Sequence, residues 1–170
     1  MKNPFRPAEY YNTACIIITW SFAFIAIACV AALDHLYDDP YLIASFGATA
    51  VLIYGAPKAA FSQPKNVFFG HLFSAVIGIS IALVFEQAGL LQEYVWTAAG
   101  IAVSTAIIAM MLTGTIHPPG GATALTCVIS GFTSFIYVVR PVMLGVVILM
   151  IAAYCADYLK ERFSGTDQNA

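Results

Sequence analysis

Charged residues and prolines divide the chain into six apolar runs, at about Ala14–Leu33, Tyr41–Pro57, Val67–Phe85, Tyr94–Ile116, Pro119–Val139 and Pro141–Ala156. A hydrocarbon layer of roughly 30 Å takes about 20 apolar residues in helical form, so each run predicts a helix of membrane length or slightly less. Backbone polar groups in lipid have to be satisfied internally, which favours helices over open sheet. The fold expected is therefore an all-α membrane protein, a small compact helical bundle of six segments. The run Tyr41–Pro57 is short, and Pro119–Val139 opens on Pro118-Pro119-Gly120-Gly121. Four full spans plus two re-entrant pieces is thus the alternative.

Basic residues choose between the two counts, because they collect at the cytoplasmic ends of spans. With six crossings and a cytoplasmic N-terminus, Lys2, Arg6, Lys58, Lys65, Lys160 and Arg162 share the inner side and only Arg140 lies outside. With two re-entrant pieces, Lys58 and Lys65 join Arg140 outside. Six crossings is the preferred reading, with both termini cytoplasmic in a bacterial-type inner (plasma) membrane. Asp34, Asp38, Asp39, Glu86 and Glu93 then fall on the outer side, and His35 with Asp34, Asp38, Asp39 and Pro40 reads as a solvated acidic link.

An internal repeat points the same way. Gly47-Ala48-Thr49-Ala50 recurs as Gly121-Ala122-Thr123-Ala124, each copy after a long apolar helix and before one that follows a proline, Pro64 or Pro141. Repetition divides residues 1–170, read as one transmembrane domain, into units of about 14–86 and 94–159. Three crossings per unit invert the second copy in the membrane, an architecture that places transport sites near the midplane where the copies meet. Small residues at helical spacing, Gly70, Ser74, Gly78 and Ala82, and Gly100 with Ser104, predict close helix packing or a homo-oligomer interface. Tyr10, Tyr11, Tyr41, Tyr94, Trp96 and Tyr158 near span ends fit an aromatic belt.

Composition sharpens this. Hydrophobic residues make up 61% of the 170 and charged residues 9%, against roughly 25% charged in soluble domains. Seven basic residues and a net charge of -2 offer no surface for nucleic acid. Cys15, Cys29, Cys127 and Cys155 stand singly in apolar runs and read as packing residues; neither a metal nor a cofactor is expected. No nucleophile–base, metalloprotease or phosphate-loop pattern is present, so an enzyme is not expected, although Asp157 is a lone group able to titrate.

The stretch Thr115-Ile116-His117-Pro118-Pro119-Gly120-Gly121-Ala122-Thr123-Ala124 carries the candidate chemistry. Two prolines end the preceding segment and suit the first turn of a new helix, so a helix is expected to begin near Pro119. Gly120 and Gly121 would leave backbone N–H groups and the positive end of the helix dipole open to a small anion. His117 and Thr123 add donors, or His117 merely caps the helix at the interface. The matching place in the first copy offers Ser45, Gly47 and Thr49. His71 reads first as a headgroup-level residue and otherwise as part of a pathway, beside Ser62-Gln63-Pro64-Lys65-Asn66.

The run from His117 to Ala124, with Ser45-Phe46-Gly47-Ala48 and Gln63-Pro64-Lys65-Asn66 before Gly70-His71, resembles the HPP family of integral membrane proteins over about residues 40–125. Members are described with four membrane helices, against six here. The resemblance implies transport across a membrane, nitrite being the solute associated with some members. Some relatives carry a CBS regulatory domain, which is not expected within these 170 residues. The function expected is a small-anion transporter or channel in the lipid bilayer, with nitrite as the best single solute. A pathway is expected along Ser45, Gly47, Thr49, Asn66, His71, His117, Pro118, Pro119, Gly120, Gly121, Ala122 and Thr123. The alternative is a non-transporting membrane scaffold or assembly subunit.

Overall fold

The computed structural model describes residues 13–37 and 42–164. Lys2, Arg6, Tyr10, Tyr11, Asp38, Asp39, Pro40 and Tyr41 lie outside the described residues. The described chain is helical throughout its regular structure, in six helices: α1 (Thr13–Tyr37), α2 (Ala44–Gly55), α3 (Pro64–Gln87), α4 (Val95–Thr113), α5 (Pro118–Ile129) and α6 (Leu144–Ser164). A 3₁₀ turn at Ala60–Ser62 precedes α3, and a kinked segment at Val138–Met143, with Arg140 extended at φ -138° and ψ 124°, leads into α6.

Among the described residues, four stretches are long and apolar enough to cross a bilayer: Thr13–Tyr37, Pro64–Gln87, Val95–Thr113 and Val138–Phe163. The other two helices, α2 and α5, have 12 residues each and so reach only about 18 Å. The described residues thus form the expected bundle of six helical segments, four of membrane length and two short. Hydrogen bonds at the ends of the short helices show which parts of the bundle they join. The Tyr54 carbonyl at the end of α2 accepts from Lys160 Nζ near the end of α6 at 3.3 Å, and Ser62 Oγ beside α3 donates to Leu52 O at 3.0 Å. At α2's other end, Leu42 N–H donates to Asp34 Oδ1 on the last turn of α1 at 2.9 Å. The short helix thus leads from the α1 side to the end of the bundle where α3 starts.

Helix α5 repeats this pattern in the opposite direction. Gly114, in the left-handed conformation at φ 62°, closes α4 through Thr115 N–H to Met110 O at 2.9 Å, a turn that favours glycine. The next residues are extended, with His117 at φ -139° and ψ 102°. Asn66 at the start of α3 holds this piece by donating to Ile116 O at 3.0 Å. Pro118 and Pro119, already fixed at helical φ, start α5. At its far end Ile129, Ser130 and Gly131 border a cavity with Leu91, Gln92 and Val95 from the α3–α4 connection. The extended piece and the short helix together therefore run between the two ends beside α4.

The first turns of α2 and α5 meet in the interior and run antiparallel. Ser45 lies beside Thr123 at 2.9 Å and Thr49 beside His117 at 3.2 Å. Both helices have the Gly-Ala-Thr-Ala run at their fourth to seventh residues. Long helices surround them: one apolar cluster joins α1, α2, α3 and α6 through Val30, Phe46, Ile79 and Leu149, and another joins α3, α4 and α5 through Ala82, Ala102 and Val128. The expected ridge on α3 makes its contact with α5. A Cβ on Gly70 would stand 2.6 Å from His117 Cβ, and one on Gly78 2.7 Å from Ala124 O. Trp20, Phe24, Leu112 and Tyr154 project outward, as suits side chains facing lipid tails, and Trp96 and Tyr158 are exposed near helix ends. The protein is an integral membrane protein.

Candidate functional site

Eight polar side chains are buried among the described residues, and five of them gather where α2, α3 and α5 meet: Ser45, Thr49, His71, His117 and Thr123, each 0% exposed. The sequence pattern explains how they reach one place. In each short helix the threonine of Gly-Ala-Thr-Ala sits six residues into the helix, and the antiparallel overlap turns both threonines to the shared interior. His71 lies two turns into α3, on the same face as Gly70, Ser74 and Gly78, which pack against α5.

The side-chain contacts form a chain, and Thr49 Oγ1 and Thr123 Oγ1 also donate to Ser45 O at 3.0 Å and Pro119 O at 3.4 Å within their own helices. His117 Nδ1 lies 2.7 Å from Phe61 O, and its Nε2 lies 3.2 Å from Thr49 Oγ1. Thr49 Oγ1 is 2.8 Å from His71 Nε2, and His71 Nδ1 is 2.7 Å from Thr123 Oγ1. Thr123 donates to Ser45 Oγ at 2.9 Å. The two repeated threonines therefore hold the two ring nitrogens of one histidine. His71 is accordingly an interior residue, and the headgroup-level expectation is corrected: α5 covers it because Gly70 and Gly120 let the two helices touch. His117 likewise does not cap α5 at an interface, since its side chain makes no capping bond and reaches back to the 3₁₀ turn.

Other expected residues play different parts. Gly120 is filled against α3, where a Cβ would meet Gly70 O at 2.8 Å and Ser74 Oγ at 2.9 Å. The expected row of open N–H groups at the start of α5 is reduced, because prolines have none and Gly120 N–H donates to His117 O at 2.8 Å. Gly121 and Ala122 face away from the histidines, towards a cavity of about 570 Å³ between α4 and α5. A Cβ on Gly47 would meet nothing within 4 Å. Asn66 positions the extended piece and does not reach the centre. A second cavity, of about 400 Å³, opens between α2, α3 and α6 beside Ser62 and Asp157.

Two participants escaped the sequence reading. Phe61 takes part through its backbone carbonyl, for which a sequence carries no signal. Ser74, read only as a packing residue, has a buried Oγ without a hydrogen-bond partner, one turn from His71; its spacing from His71 was the available clue. The centre contains no carboxylate and no ammonium, since the buried polar residues among those described are serines, threonines and histidines. Chemically it is a set of neutral donors and acceptors, able to exchange hydrogen bonds with a small polar solute or to move a proton.

Known proteins bear on this arrangement. The family model described as "HPP, transmembrane region" matches residues 9–164. Two transmembrane proteins of Dictyostelium discoideum are similar. One is 42% identical over 144 residues, covering 79% of this chain and 45% of the relative. The other is 39% identical over 145 residues, covering 79% of this chain and 49% of the relative. The chain thus spans about half the length of these curated relatives. No solved structure matches.

Proposed function

The chain belongs to the HPP transmembrane family, and from that premise and the chemistry of its buried centre we propose that it moves a small anion across the membrane, nitrite being the best single solute. One observation carries the reading: five uncharged polar side chains, from α2, α3 and the start of α5, converge fully buried between two apolar clusters of the bundle. Polar and ionisable groups at membrane depth are costly and mark functional pathways by default. Hydroxyls and imidazole N–H groups suit an anion, and the first turns of α2 and α5, where the positive ends of their dipoles lie, overlap side by side at the same place. Every close contact is taken up within the protein, so a solute gains access by displacing a threonine hydroxyl from an imidazole.

The same proposal includes an inverted pair of units, α1–α3 and α4–α6, forming one domain whose short helices come from opposite ends. It places the end with Lys58, Lys65, Lys160 and Arg162 on the cytoplasmic side of a plasma membrane, following the distribution of basic residues. It also includes a homo-oligomer, because the Gly100 and Ser104 face of α4 is exposed and a Cβ on Gly100 would meet nothing within 4 Å. No catalytic or cofactor role is assigned to the centre.

Nitrite uptake into liposomes containing the purified protein tests the reading, with formate, nitrate and chloride as competitors and protein-free liposomes as background. Saturable uptake that is lost in His71→Ala supports it. Absence of flux for every anion would instead favour a scaffold whose buried centre only fixes the packing of α2, α3 and α5.

A further inference from the structure

Ser74 on α3 is 0% exposed, and among the described residues its hydroxyl is the one buried side-chain group without a hydrogen-bond partner. A serine inside a helix can satisfy itself on the carbonyl four residues back. Ser80 of the same helix does so, donating to Val76 O at 2.7 Å, as Ser104 of α4 does to Gly100 O at 2.8 Å. Ser74 makes no such bond to Gly70 O. Its Oγ instead stands at the first turn of α5, 2.9 Å from the place that a Cβ on Gly120 would take. Glycine has no side chain with which to answer it. Three residues on in α5, Thr123 does answer His71, the residue three before Ser74, at 2.7 Å from its Nδ1. Across the α3–α5 contact, therefore, one polar pair is complete and the neighbouring one lacks a partner.

We infer that Ser74 binds the transported anion: its hydroxyl and His71 Nδ1–H hold the anion between α3 and α5 once Thr123 has left the imidazole. The inference rests on the anion-transport reading above. Residues three apart on a helix are neighbours, with Cβ atoms about 5–6 Å apart, so both donors reach one small anion. Leaving a buried hydroxyl unpartnered lowers stability, and such a group in a native protein calls for a reason. Here the solute supplies the missing acceptor. A bond from the solute to Thr49, Thr123 or Ser45 replaces one that the empty protein already makes, whereas the bond to Ser74 replaces none. It is also charge-assisted, a stronger kind than the neutral bonds around it. Ser74 thereby adds to the affinity of the loaded state and nothing to the stability of the empty one.

Nitrite uptake into liposomes is measured over a range of nitrite concentrations, beside the melting temperature of the nitrite-free protein in detergent. Ser74→Ala is expected to raise KM about tenfold, and to melt at or above the native temperature because it removes only an unpartnered group. Ser80→Ala, which deletes a hydroxyl bonded within its own helix, is the control and is expected to keep the native KM. A native KM in Ser74→Ala overturns the assignment and leaves anion transport standing. A lowered melting temperature, or failure of Ser74→Ala to fold, overturns it as well, since the hydroxyl would then support the packing of the empty protein. Absence of nitrite uptake by the native protein overturns both readings.

Discussion

Glycines divide into two kinds at the core of this protein, and the difference is measurable. Gly70 and Gly120 lie at the closest approach of α3 and α5, where an added Cβ would press on His117 Cβ at 2.6 Å or on Gly70 O at 2.8 Å. Gly121, next in sequence, would meet only Val103 at 4.0 Å. Overpacking a fitted contact costs typically about 1–3 kcal/mol. Gly70→Ala is therefore expected to lower the melting temperature of the detergent-solubilised protein clearly, and Gly121→Ala to leave it near the native value. Equal effects would mean that the α3–α5 contact is looser than described. The sequence marked Gly70 through the Gly70–Ser74–Gly78–Ala82 spacing, and read Gly120 as an open helix start. It did not separate Gly120 from Gly121, since which of two adjacent glycines faces α3 depends on the helix phase set by Pro118 and Pro119.

Each short helix depends on the segment before it. The extended piece Thr115–His117 carries the chain inward before α5 begins, and Asn66 ties it down by donating to both Ala60 O and Ile116 O at 3.0 Å. Removing a side chain that makes such bonds costs about 1 kcal/mol. In Asn66→Ala, backbone hydrogen exchange is expected to quicken at Thr115–His117 and in the first turn of α5, while α4 stays protected; unchanged exchange would show that Asn66 does not anchor this piece. Part of this element was legible: two prolines after His117 predicted a new helix start, where α5 begins at Pro118. The short length of α2 was legible in the short run Tyr41–Pro57, whereas that of α5 was not, because apolar residues continue past Ile129 in the sequence. Hydropathy alone does not distinguish a helix from an extended segment that is buried among other helices.

Across the whole bundle, the short helices decide the topology. If α2 runs from the α1 side to the α3 side, a residue at the end of α1 and one just after α2 face opposite compartments. In a background with the four native cysteines replaced, Leu36→Cys and Lys58→Cys are expected to react with an impermeant thiol reagent from opposite sides of sealed vesicles. Labelling from one side would restore the re-entrant alternative. The basic-residue distribution predicts the same arrangement, whereas the hydrogen bonds at its centre required the tertiary contacts between α2, α3 and α5. Ser45, Thr49, His71, His117 and Thr123 come from three separated stretches, and only the antiparallel meeting of the short helices joins them. The most direct test of that centre compares two threonines on one helix. Thr123 is fully buried between His71 and Ser45, whereas Thr126, three residues on, donates to Ala122 O within its own helix at 2.8 Å. In liposomes, Thr123→Val is expected to lose nitrite flux and Thr126→Val to retain it; native flux in both variants would place the pathway elsewhere and contradict the account.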